Sequence, residues 1–73
     1  MHNTAEIESQ IRKRLIEAIQ QSGLTNTAIA KKVNIHVSMI TDYKKSKLPS
    51  LVNFCVLCKV LDVSADEILG LKD

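Results

Sequence analysis

Two cysteines, two histidines and a set of lysines are the residues whose chemistry could define a site in this chain. Cys55 and Cys58 form a C-x-x-C, the spacing of half a zinc site or of a redox pair. Zinc takes about four ligands, and His2 and His36 stand far from the cysteines in sequence. A redox pair of this spacing opens a helix inside a β-α-β unit, and that context is missing. Apolar residues surround both cysteines on what reads as a helix, so both are expected to pack as small buried hydrophobes. No metal and no cofactor is implied. No nucleophile–base pair and no phosphate-cradling glycine loop can be assembled from the remaining residues, and an enzyme is not expected.

The lysines say more. Lys31, Lys32, Lys44, Lys45, Lys47 and Lys59 occupy the stretch from Ala18 to Leu61, with Asp42 as its one acid. Glu6, Glu8, Glu17, Asp62, Asp66, Glu67 and Asp73 lie in the flanks, so the formal net charge of +2 conceals a basic centre between acidic ends. Such an asymmetry suits a polyanionic partner. A solvated lysine face would look the same, so the elements that carry these residues must decide.

Those elements read as helices in one domain spanning residues 1–73. Only two glycines and one proline are available for tight turns, and no run alternates apolar and polar residues as a half-buried strand does. Ile7, Ile11, Leu15, Ala18 and Ile19 recur at helical spacing, predicting a first helix over about 4–21, with Thr4 as cap and Gly23 as stop. Thr25 caps a second helix over 26–33 that turns Ile29, Ala30 and Val33 inward. Asn34 suits a left-handed turn position. A third helix follows over 37–45, with Ile40 and Tyr43 inside. Ser50, behind Pro49, caps a fourth over 51–61. Ser64 and Glu67 form a capping box that opens a fifth over 65–69, ended by Gly70. The start of the chain lacks the basic end and apolar core of a signal peptide. Leu48 to Val63 is too interrupted to span a membrane. A cytoplasmic protein without membrane contact is expected.

From Leu24 to Leu69 the sequence resembles the Cro/repressor (XRE-type) helix-turn-helix family of phage and bacterial regulators. Leu24-Thr25, Ile29-Ala30, Val33, Ile35, Ile40, Pro49-Ser50-Leu51, Phe54, Leu57-Cys58, Leu61, Val63-Ser64 and Asp66-Glu67-Ile68-Leu69 carry the likeness. It implies an all-α, five-helix, lambda-repressor-like globule on double-stranded DNA. The second helix would cross the DNA backbone and the third would lie in the major groove. Position by position, Val37, Ser38 and Asp42 take the main base-reading places, with His36 and Thr41 beside them. Asn26 takes the place of a phosphate-contacting Gln, and Lys45 and Lys47 match backbone-contact positions. Chemically, Ser38 can donate or accept at a base edge and Val37 can pack on a thymine methyl. Asp42 can accept from a cytosine amino group or balance Lys45 or Lys31.

Four departures from the family pattern carry expectations of their own. The turn glycine is Asn34. The cap of the third helix is His36, a poorer cap that would let the helix fray. The glycine after that helix is Ser46, where a strained backbone is expected. An Arg–Glu pair common in the family is replaced by Ile19 and Lys44, so that Ile19 joins the core and Lys44 is freed for a DNA phosphate.

On the fourth helix, Leu51, Phe54, Leu57, Cys58 and Leu61 account for the face that packs under the second and third helices. Val52, Val56 and Val60 are additional, and a helix apolar nearly all round is buried on more than one side. They are expected to form a homodimer interface. The resulting expectation is a sequence-specific transcriptional regulator: a repressor of the minimal Cro-like or restriction-controller kind, binding a palindromic operator as a dimer, with no small-molecule effector. The alternative is an antitoxin or similar interaction module whose fourth helix binds a protein partner.

Overall fold

The computed structural model describes residues 3–71; His2 and Asp73, named above for their ligand chemistry and charge, lie outside them. Within that range five helices follow one another: α1 (Thr4–Gln21), α2 (Asn26–Val33), α3 (Val37–Lys45), α4 (Leu51–Leu61) and α5 (Ala65–Leu69). The all-helical, five-helix expectation holds.

Local chemistry explains most of the ends. Thr25 and Ser50 each accept an N–H three residues on through the side-chain oxygen, from Ala28 at 3.1 Å and from Asn53 at 3.2 Å. This satisfies one donor that a helix start otherwise leaves unpaired. Asn34 closes α2 in the left-handed conformation, φ 66°. Its own N–H and that of Ile35 return to carbonyls of Lys31 and Ala30. Gly23 and Gly70, both at φ 73°, end α1 and α5.

Several expectations need correcting. Asn3, not Thr4, caps α1, because its Oδ1 lies 3.1 Å from the N–H of Glu6. The capping box at Ser64 does not form: that side chain makes no cap hydrogen bond. Ser46 is not strained, since φ −149° is outside the left-handed region. The unforeseen left-handed residue is Asp62, φ 56°, which closes α4. Like Asn, Asp tolerates that conformation through a short polar side chain.

Every helix sends at least one nearly inaccessible residue into the shared core, among them Leu15, Ile29, Ile40, Leu57 and Ile68. The two central short helices, α2 and α3, pack on each other. α2 also rests on α4, while α1 backs α3 and α5. Ile19 is buried as expected, and Cys58 is buried beside Leu57 and Leu61. Burial, aided by the nearby Cys55, pushes the Cys58 thiol up from its ordinary value and keeps it protonated. Cys55 is exposed, against expectation, and both cysteines are free thiols. Ile7 is 42% and Leu51 86% exposed. Both were expected inside. Ile7 sits one turn from the start of α1, and Leu51 is the first residue of α4.

Two arginines of α1 act as long-range ties that sequence spacing does not reveal. Arg14 donates through Nε to the Ile68 carbonyl at 2.7 Å, placing a cation at the negative end of the short α5. Arg12 donates through Nη2 to the Ser46 carbonyl at 3.0 Å, which ties down the chain just after α3. Tyr43 is 3% exposed, and its hydroxyl has no partner among the described residues. A buried unpaired hydroxyl costs about 1–3 kcal/mol. Tyr43→Phe is therefore expected to raise stability by about 1 kcal/mol in urea unfolding; a loss of stability would mean that the hydroxyl is satisfied.

Candidate nucleic-acid interface

The sharp bend between α2 and α3 follows from its residues. Asn34 turns the chain back, half-buried Ile35 packs against the core, and His36 starts the next helix. α3 then has one apolar side, Ile40 and Tyr43, sunk into the core. Its other side points outward. Val37 is 36% exposed, Ser38 and Thr41 are exposed, and Asp42 is half-buried. The candidate base-reading residues therefore share the outward surface and the first two turns of one helix, which the core holds from behind.

His36 is a working cap, contrary to the fraying expected of it. Its Nδ1 accepts the backbone N–H of Ser38 at 3.1 Å, and Ser38 Oγ lies 2.8 Å from the same nitrogen. A backbone N–H can only donate, so Nδ1 must offer its lone pair and the ring proton belongs on Nε2. The Ser38 hydroxyl hydrogen is then directed at His36, leaving the oxygen lone pairs outward. His36, itself exposed, sets an Nε2–H donor beside that acceptor.

At the opposite end of α3, Lys44 is half-buried and reaches across to α2, where its Nζ lies 2.8 Å from Asn26 Oδ1. Lys44 and Asn26 are thus joined, where the sequence suggested two independent contacts. α2 begins at Asn26, so its positive dipole end sits beside a lysine ammonium. Thr25 occupies the N–H of Ala28. The N–H groups of Asn26 and Thr27, at the first two positions, face out of the helix end as such donors must. Lys45 and Lys47 are exposed just beyond, on the segment that Arg12 secures. The N–H groups of Ser46 and Lys47 both donate to the Asp42 carbonyl at 3.0 Å, which fixes how that segment leaves α3.

On α4, Val52 is 72% exposed, whereas Val56 and Val60 are half-buried against the core. The exposed apolar strip is instead Leu51, Val52 and Cys55, next to a shallow groove lined by Phe54, Cys58 and Leu69. Among the described residues no group of three or more His, Cys, Asp or Glu could hold a metal ion. None of the described helices is long and apolar enough to cross a membrane.

The arrangement can place one helix end and several donors against phosphates while a polar helix face meets base edges. The profile of a family described as "Helix-turn-helix" matches residues 15–68, well over half of the chain, from the middle of α1 to α5. Neither the curated proteins nor the solved structures contain a significant match.

Proposed function

The chain belongs to the helix-turn-helix family of the Cro/repressor (XRE) type, whose members are DNA-binding regulators, and from that premise we propose that it is a repressor that binds a palindromic operator as a homodimer. The observation that carries this reading is the outward face of α3: Val37, Ser38 and Thr41 open to solvent, with Ile40 and Tyr43 anchoring the helix from behind. In the proposed complex α3 enters the major groove and α2 lies across the backbone. Asn26, Lys44, Lys45 and Lys47 hold phosphates, supplying affinity and salt dependence rather than sequence preference. Val37, Ser38, Asp42, His36 and Thr41 read the bases.

The His36 cap sharpens one of those contacts. With its hydrogen turned toward His36, Ser38 offers lone pairs, and in the major groove these match the amino groups of adenine N6 or cytosine N4. Val37 adds contact with a thymine methyl. No arginine stands on this face, so a single α3 offers few strong base contacts. Pairing two copies on half-sites roughly 34 Å apart compensates for that weakness. Exposed Val52, with half-buried Val56 and Val60 one and two turns further along the same side of α4, supplies an apolar face for the second copy, and exposed Leu51 borders its first turn.

Selection from randomised duplexes tests the reading. A two-fold symmetric site should be enriched, with adenine or cytosine at one fixed position of each half. Ser38→Ala should relax that position alone, by about 1 kcal/mol, the worth of one hydrogen bond. Uniform weak binding to every sequence would sink the specificity claim. Co-purification with an unlike protein seated on α4 would favour the antitoxin reading.

A further inference from the structure

The contact between Lys44 and Asn26 has a chemical consequence. An ammonium carries donors and no acceptor. At 2.8 Å from the Asn26 amide it can be met only by the amide oxygen. The two faces of an asparagine amide otherwise differ little in energy and exchange by rotation. Here Lys44 selects one orientation, with Oδ1 inward and both Nδ2 hydrogens turned away from Lys44. The side chain that stands at the first position of α2 becomes a pure donor.

We propose that Lys44 is a positioning residue: it locks the Asn26 amide so that Nδ2 donates to a DNA phosphate at the start of α2. The inference rests on the DNA-binding reading above and adds to it how one contact is built. Three features converge at that point. The N–H groups of Asn26 and Thr27 open the eight-residue helix α2. The Asn26 Nδ2 hydrogens extend the same donor set outward. The Lys44 charge, half-buried between α3 and α2, adds an electrostatic attraction that water screens less than it would at a free surface. An anion is the only ligand class such a donor-only cluster favours, and the phosphodiester of the bound duplex supplies it.

The arrangement also gives a reason for a lysine here. A carboxylate at position 44 would draw Nδ2 inward and turn the amide oxygen toward the phosphate, where two acceptors would oppose each other. An aliphatic residue would leave the amide free to rotate, so that part of its population presents the wrong atom.

A double-mutant cycle on affinity for a short mixed-sequence duplex, at one fixed salt concentration, tests the coupling. Asn26→Ala should weaken binding roughly tenfold, as expected for losing one hydrogen bond to a charged group. Lys44→Met should cost several-fold more in the presence of Asn26 than in the Asn26→Ala background, where only its charge remains to be lost. Lys44→Arg, which keeps donors and charge, should rescue most of the affinity. Asn26→Asp supplies a readout that a merely structural role would not move. It keeps the partner for Lys44 and places an acid in the first turn of α2, so its thermal midpoint should match or exceed the parent's. Its affinity should nevertheless fall below that of Asn26→Ala, because its second oxygen meets the phosphate. Equal costs of Lys44→Met in both backgrounds would overturn the inference while the DNA reading stood. An unmodified protein that binds no duplex would instead overturn that reading and the inference with it.

Discussion

Ile40→Ala is expected to destabilise the protein by about 2–5 kcal/mol, the cost of a cavity left where a fully buried aliphatic side chain is cut back. Domains of this size have a total stability on the order of 5 kcal/mol, so the variant should be largely unfolded at physiological temperature. Ile40 is the sharpest place for the test because it belongs to α3 and is wholly inaccessible, while Thr41, its neighbour in sequence, is exposed. Thr41→Ala should change stability by no more than about 0.5 kcal/mol and act on DNA binding alone. Urea unfolding followed by circular dichroism separates the two. If Ile40→Ala were as stable as the parent, the core would not be what holds the recognition helix in place.

That pairing also shows which parts of the molecule could be read from its residues. Ile40 and Tyr43, or Ile29, Ala30 and Val33, announce their burial by spacing because the helical period is set by neighbours along the chain. The caps at Thr25 and Ser50 and the left-handed Asn34 are equally local: each is settled within three or four residues. Ser64 and Ser46 show the limit of such rules. A Ser–Glu spacing permits a capping box without requiring one, and a position occupied by glycine in relatives need not be left-handed here.

What escaped the sequence depends on contacts between helices. Arg12 and Arg14 look like ordinary solvated residues on α1, yet they reach carbonyls 34 and 54 positions away. Leu51 has the apolar character of its core neighbours but begins α4 outside the packed layer. Lys44 and Asn26 were legible as residues facing DNA, but not as a bonded pair, because nothing in their separation of 18 residues implies that the end of α3 meets the start of α2. The replacement of a charged pair by Ile19 and Lys44 is only half visible in the same way. Ile19 enters the core as its chemistry demands, whereas Lys44 acquires a new partner.

The same distinction decides how the proposed dimer should be broken. Val56 and Val60 are partly packed against the core, so lysine at either would disturb folding and association together. Leu51 and Val52 are 86% and 72% exposed, and Leu51→Lys with Val52→Lys should leave the unfolding midpoint almost unchanged. In sedimentation the double variant should run as a monomer under conditions where the parent is dimeric. Its affinity for a full palindromic site should drop by roughly 10²–10⁴-fold, since each half-site must then be bound without the effective concentration that the partner provides. Affinity for a single half-site should change much less, with any shift traceable to the added positive charge. A double variant that still sediments as a dimer would place the interface elsewhere on the molecule. A parent that is monomeric and binds half-sites and full sites equally well would remove the dimer altogether, and specificity would then rest on what one α3, unaided by arginine, can distinguish.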